Sequence, residues 1–327
     1  MIRAYKYVCI AAAGLAAGVG PALAAQAPAE QPTRPVRLLV PFAPGGGADT
    51  LARIMTPKLS ESMGQQWVVD NRGGAAGNIA AETVARATPD GSTVFMGFST
   101  VLTVNPSLYK LPFSVERDLQ PVTLLATAQY ILVVHPGVGA GTVKELIALM
   151  KQKPQTFNYA SAGVGSPLHL AGELFQRRAG VQMTHLPYKG GGPAAAAVLS
   201  GEAQLIFGSV ASSIPHVKAG KLKALATTGT QRSKVAPDVP TMAEAGLPGV
   251  EVTSWYAFML PGGATAAAVS RLREHALKAL GVPDVQQAMA RQGLEPDTST
   301  AQELAARIRR ESKTWAEVIK AANIRAE

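Results

Sequence analysis

The chain has almost no thiol chemistry to offer: of 327 residues, Cys9 is the single cysteine. One cysteine builds neither a disulfide framework nor a Cys-based metal site. Cys9 also lies in an N-terminal stretch that reads as a removable leader, and it lacks the small-residue context of a lipid-attachment site. The common enzyme signatures are missing as well. There is no GxxxxGK[ST] phosphate loop, no GxSxG nucleophile elbow and no HExxH zinc helix. GxGxxG is absent too, because Gly163-Val164-Gly165 continues as Ser166-Pro167-Leu168. Basic runs are lacking: the net charge is +9, but lysines and arginines are scattered and aromatics make up only 6%. That pattern lacks the footprint of a nucleic-acid binder, although a general positive field favours an anionic ligand. The apolar run at 8–20 is shorter than the about 20 residues that cross a bilayer.

What is present begins with that run. Arg3 and Lys6 precede it and Ala22-Leu23-Ala24 follows it, the order of parts in a cleavable export signal. Cleavage is expected after Ala24, with an uncleaved anchor as the alternative. Removing 24 residues leaves 303 with a net charge of +7, since the leader holds two basic and no acidic residues. Such a length suits one large or two medium domains.

Residues 25–35 are rich in Pro, Ala and Gln and read as a lead-in. Val36-Arg37-Leu38-Leu39-Val40 is nearly all apolar, as buried parallel strands are. A Gly-rich loop follows, then a helix with Leu51, Ile54, Met55 and Leu59 on one face. Further strands are predicted at 67–69 and 93–97, with a turn-rich stretch at 70–77, a helix over 79–87 and a turn at 89–91. Strand-helix alternation of this kind gives a parallel sheet with helices on both faces. The pattern restarts with strands at 131–134, 157–159, 183–186, 205–207 and 222–226. Helices are predicted between them at 142–151, 167–178 and 193–200. Thr142 with Glu145 reads as a helix start. The stretch 252–260, carrying Trp255 and Tyr256, reads as a strand crossing back. Two helices finish the chain, one carrying Val269, Leu272, Ala276 and Leu280, the other Leu304, Ile308, Trp315 and Ile319. The expected domains are 25–128 plus 257–327, and 129–256.

Three segments share one design of strand, small-residue loop and helix start. They are Phe42 to Thr50 (FAPGGGADT), Ala160 to Pro167 (ASAGVGSP) and Tyr188 to Pro193 (YKGGGP). In a parallel sheet such loops lie at the carboxyl ends of the strands, where ligands bind. Glycine lets backbone approach a ligand closely, and a helix start offers unpaired N–H groups and about half a positive charge. Together they make a carboxylate or phosphate site that needs no Arg or Lys. Tight turning alone also explains such glycines. Asp49 reads as a helix cap, Ser166-Pro167 as a cap and first helical residue, and Ser161 as free to face a cleft. His169 and Glu173 lie one turn apart without a third ligand, so no metal site is expected. Histidines 135, 185, 216 and 275 read as isolated structural residues. Trp255 and Tyr256 either line a pocket or fill the core where the chain crosses over.

Ordered blocks recur along the chain. They are Pro41-Phe42-Ala43-Pro44-Gly45-Gly46 with Asp49, Asp70 to Ile79 (DNRGGAAGNI), Asn105 to Pro112 (NPSLYKLP) and Asn158-Tyr159-Ala160-Ser161. Then come His169-Leu170-Ala171-Gly172-Glu173, Pro187-Tyr188-Lys189-Gly190, Lys218 to Leu222 (KAGKL), Asp238-Val239-Pro240-Thr241 and Glu244 to Gly249 (EAGLPG). On these blocks, which run from Val36 to Glu327, the sequence resembles the receptor family of tripartite tricarboxylate transporters, also called the Bug family.

The resemblance implies an α/β, periplasmic binding protein-like fold: two doubly wound domains joined by a hinge, a type II-like flytrap that closes around ligand. It implies that the loops at 42–50 and 161–166 grip a ligand carboxylate, partly through waters, with di- and tricarboxylates, acidic amino acids and aromatic or heterocyclic acids among the family's ligands. Contacts are expected from Phe42, Gly46, Gly47, Ala48, Asp49, Thr50, Ser99, Thr100, Ser161, Gly163, Gly165, Ser166, Tyr188, Gly190 and Ser209. Two departures stand out. The family's second loop commonly reads Ser-x-Gly-Asn-Gly-Thr, where this chain has Val164 and Ser166. After Phe207 the family often has Asp-Asn, where this chain has Gly208 and Ser209. The pocket is therefore expected to lack a carboxylate for a ligand ammonium. No catalytic activity, cofactor, metal or nucleic acid is expected; the partners expected are a small carboxylate and membrane permease subunits, and the protein is expected to be a monomer. The alternatives are a sensor adaptor presenting its ligand to a membrane signalling protein, and a hydrolase using the same anion site. Mass spectrometry of protein recovered from the periplasm is expected to find the chain starting within a residue or two of Ala25. Full-length protein confined to the cytoplasm would contradict export.

Overall fold

The computed structural model describes residues 34–325; the expected leader and its cleavage site lie outside them. The chain order begins β1 (Val36–Val40), α1 (Gly47–Met63), β2 (Trp67–Asn71), α2 (Asn78–Ala85), β3 (Thr93–Phe98), α3 (Ser99–Thr103), α4 (Asn105–Leu108), α5 (Val115–Asp118) and the long β4 (Leu119–Val134). It continues with α6 (Val143–Gln152), β5 (Asn158–Ser161), α7 (Pro167–Ala179), β6 (Thr184–Pro187), α8 (Gly191–Leu199), β7 (Leu205–Ser209), α9 (Val210–Lys218) and β8 (Lys223–Thr227). It ends with β9 (Thr253–Pro261), α10 (Ala266–Leu280), α11 (Pro283–Arg291), β10 (Glu295–Pro296) and α12 (Ala301–Ala321).

The strands pair in the order β2-β1-β3-β9-β4-β7-β5-β6, with β8 and β10 also on β4. In the first half β1 runs parallel to β2 and β3; in the second, β5 runs parallel to β6 and β7. At the centre the sheet departs from the expected parallel pairing. Here β9 runs antiparallel to both β3 and β4, and β4 antiparallel to β7 and β8. The two crossover strands join the halves. β4 spans 16 residues where the sequence pattern suggested only 131–134. Its early part was hidden by Pro121, which has no N–H to give a ladder; the register with β9 slips between Pro121 and Thr123.

Alternation along β1 divides the first half into two layers. Leu38 packs with Met55, Phe258, Leu272 and Met289 on one face, under α1, α10 and α11. Leu39 packs with Phe95, Trp255, Leu304 and Ile308 on the other, against α12. A separate core runs from Tyr130 to Val252, including Leu132, Tyr159, Phe175 and Phe207. Where β4 meets β9 between these cores, the Tyr130 hydroxyl hydrogen-bonds Ser254 Oγ. A small group of Val104, Leu170 and Ile319 brings side chains from both halves together.

Local signals account for several element starts. Ser166 caps α7 by accepting the His169 N–H at 3.3 Å. Thr300 and Glu303 form a reciprocal capping box on α12. Thr142 caps α6, but Glu145 reaches back to the Gly141 N–H at 2.6 Å rather than to the cap residue itself. On α7 Gly172 lies flat against the Tyr159 ring, leaving no room for a Cβ. Alanine there would gain about 1 kcal/mol of helix propensity, while overpacking costs about 1–3 kcal/mol. Gly172→Ala is therefore expected to lower the urea midpoint, and a raised midpoint would show that the ring yields freely.

Candidate functional site

Every expected contact residue falls at or just after the carboxyl end of a parallel strand. Phe42 to Thr50 link β1 to α1; Ser99 and Thr100 follow β3; Ser161 to Ser166 link β5 to α7; Tyr188 and Gly190 lie between β6 and α8; Ser209 ends β7. In the first half, aromatic contacts gather the pieces. Phe42 meets Phe98 edge-on at 5.4 Å, and Phe98 packs on Tyr256 at 5.2 Å. A Cβ on Gly47 would lie 2.5 Å from the Tyr256 hydroxyl. Tyr256 thus supports the start of α1 from below. Trp255 is fully buried, its Nε1–H donated to Glu311 at 2.7 Å and its ring beneath the Arg307 guanidinium, so it is core.

The first loop is held by residues that composition and spacing did not single out. Asn71 Nδ2 donates to the Phe42 carbonyl at 3.0 Å. Arg72 N–H donates to Val40 O at 2.8 Å. Asn105 Nδ2 donates to Asn78 Oδ1 at 2.7 Å and to Ala76 O at 3.0 Å, tying α4 to the stretch beside that loop. These contacts give a physical role to the 70–79 and 105–112 blocks.

Asp49 is not the helix cap. Gly46 is the cap residue of α1, and Asp49 is its third helical residue. The Asp49 side chain is 5% exposed and pairs with Arg53 at 3.0 Å, while its carboxylate accepts the Gly45 N–H at 2.9 Å. Burial pushes this carboxyl up, but hydrogen bonds from Arg53, Gly45 and Asn71 and the Arg53 charge outweigh it and hold the group below its ordinary value. The first backbone bond of α1 is Thr50 N–H to Gly46 O. Among the described residues no acceptor meets the N–H groups of Gly47, Ala48 and Asp49.

In the second half, Ser161 is fully buried rather than facing a cleft. Its hydroxyl accepts the Gly163 N–H at 3.1 Å and lies 2.6 Å from His185 Nε2. A hydroxyl without solvent access is no nucleophile for an incoming substrate, short as its contact with an imidazole is. His185 is not isolated either: the parallel pairing of β5 with β6 sets it opposite Tyr159, and its ring stacks on His169 at 4.1 Å. No sequence spacing signals a contact that depends on strand register. The Tyr188 hydroxyl donates to Glu202 at 2.9 Å, and Ser209 is exposed. Gly165 approaches Leu108 of the first half, whose Cδ1 lies 2.8 Å from where a Cβ would stand. Among the described residues no group of three His, Cys, Asp or Glu side chains is arranged to hold a metal ion, and no helix is long and apolar enough to cross a membrane.

Two half-sheets with helix starts gathered at their strand ends define an α/β periplasmic-binding-protein fold. Residues 51–324 match the tripartite tricarboxylate transporter family receptor, and the chain belongs to that family. It is similar to BugT of Bordetella pertussis, 36% identical over 315 residues, with 96% of this chain and 94% of that protein covered. Among solved structures it is similar to Rpa4515 of R. palustris with adipate, at 34% identity and a TM-score of 0.79, covering 90% of this chain and 99% of that one. MatC from Rhodopseudomonas palustris with bound malate is 31% identical, with a TM-score of 0.76 and coverage of 88% and 100%. The chain is a solute-binding receptor and not an enzyme.

Burial pushes the His169 imidazole down, aided by His185, to about 3, and burial alone pushes His185 down to about 4. In the unfolded chain both titrate near pH 6.5, so the unfolded state binds more protons in between. The stability from these neutral rings is complete above about pH 6.5 and is lost as pH falls through that window. Urea midpoints are expected to be lower at pH 5 than at pH 7.5, less so in His169→Asn; a wild-type midpoint that holds or rises at pH 5 contradicts this.

Proposed function

We propose that this receptor captures a small carboxylate, a di- or tricarboxylate or an aromatic acid, in a cleft between two lobes. The lobes would comprise the described part of 25–128 with 257–325, and 129–256. In this reading they turn about the β4 and β9 crossovers and close on the ligand. The protein acts outside the cytoplasm as a monomer and delivers its ligand to the membrane subunits of a tripartite tricarboxylate-type transporter. The observation that carries the reading is the start of α1. Three consecutive N–H groups there meet no acceptor among the described residues, and the buried carboxylate of Asp49 is already engaged by Arg53 and Gly45. Such a start attracts a carboxylate through oriented N–H groups and the helix dipole, so Lys189 is not required. Adipate and malate in the similar structures support the ligand class.

With Asp49 committed and no acid at 208 or 209, an ammonium on the ligand finds no partner. A thermal-shift and calorimetric panel of adipate, malate, glutamate and benzoate is the test. At least one unaminated acid is expected to stabilise the protein, by about 2.7 kcal/mol at a hundred times its Kd, with glutamate weaker. Gly47→Ala keeps the N–H but sets a Cβ against the Tyr256 hydroxyl and shifts the start of α1. It is expected to weaken that acid by about 10-fold or more, the cost of one misaligned charge-assisted hydrogen bond at about 1.5–3 kcal/mol. Normal binding by folded Gly47→Ala together with none by Lys189→Ala would mean that a cationic side chain holds the ligand.

A further inference from the structure

The loop between β5 and α7 carries N–H groups at Ala162, Gly163, Val164 and Gly165, and two of them are already spoken for. Ser161 Oγ takes the Gly163 N–H at 3.1 Å, and His169 Nδ1 takes the Gly165 N–H at 3.1 Å. Among the described residues no acceptor meets the N–H groups of Ala162 and Val164. Both engaged acceptors are anchored in one stack of rings. His185 Nε2 lies 2.6 Å from Ser161 Oγ, and the His185 ring stacks on His169 at 4.1 Å and 13°, and on Tyr159 at 4.9 Å and 22°. The stack lies under the loop: Ser161 is 0% and His169 5% exposed. Accepting the Gly165 N–H places the His169 proton on Nε2, 3.7 Å from the Glu173 carboxylate, which in turn accepts the Tyr159 hydroxyl at 2.5 Å.

We infer that His169 and His185 are positioning residues for ligand capture: they draw the N–H groups of Gly163 and Gly165 inward and leave those of Ala162 and Val164 to face the ligand. This rests on the carboxylate reading above. The chemistry needs neutral rings. A protonated His169 would set a second donor against the Gly165 N–H and release it, turning a fixed pattern of donors into a loose one. A carboxylate held at this loop then owes its selectivity to the two free peptide donors at Ala162 and Val164 and not to the loop's glycines, whose N–H groups serve the loop.

Amide hydrogen exchange, read by NMR on the free wild-type protein, tests the pattern without any ligand. The Gly163 and Gly165 amides are expected to exchange at least about tenfold more slowly than those of Ala162 and Val164, as hydrogen-bonded amides do. His169→Asn sets Oδ1 where Nδ1 was and should keep Gly165 protected, whereas His169→Gln acts one atom further out and should lose that protection. In calorimetric titration with adipate, His169→Asn should bind as wild type and His169→Gln roughly threefold to tenfold more weakly, the loss of about one hydrogen bond. Equal exchange at Gly165 and Val164 in the wild type overturns the inference, as does an equal affinity loss in both variants. If adipate gives no heat with the wild type, adipate is not this receptor's ligand, and the wild-type exchange pattern still upholds or overturns the positioning role.

Discussion

A helix leaves its first N–H groups without intrahelical acceptors, and the chemistry of this receptor turns on which of those groups the protein fills itself. At α1, among the described residues, it fills none of the first three. At the loop before α7 it fills alternate ones, with a serine hydroxyl and an imidazole. In the proposed function the remaining donors are the ones a ligand carboxylate would take. Fixed donors of this kind need no reorganisation when an anion arrives, and they leave no flexible cation to be ordered.

The rest of the fold keeps those donors in place. Phe42, Phe98 and Tyr256 form the floor beneath α1, and Asn71 and Asn105 fasten the loops beside it. Asp49 would otherwise repel an anion, but it is neutralised by Arg53 and turned to the Gly45 N–H. The two halves are continuous through β4 and β9, so a displacement of one half relative to the other must be absorbed near Tyr130 and Ser254.

Much of this was legible in the chain. Apolar runs placed β1, β3, β7 and β9, helical spacing placed α1, α10 and α12, and the glycine-rich loops fell where ligand loops belong. What escaped has a physical reason in each case. Pro121 disguised the first part of β4. The helices α9 and α11 are each nine residues long, α9 carries Pro215, and neither has a side-chain cap bond to mark its start. The stacking of His169 on His185 depends on strand register, which residue spacing does not encode. Ser161 reads as a loop hydroxyl in sequence and is buried in the fold, because the β5 end and the α7 start close over it.

The most direct measurement is a crystal structure with a bound dicarboxylate. One ligand carboxylate is expected within about 3 Å of the backbone nitrogens of Gly47 and Ala48, the usual length of such hydrogen bonds, with no lysine or arginine head group touching it. A carboxylate paired with a cationic side chain, its oxygens out of reach of α1, would contradict capture by backbone N–H groups.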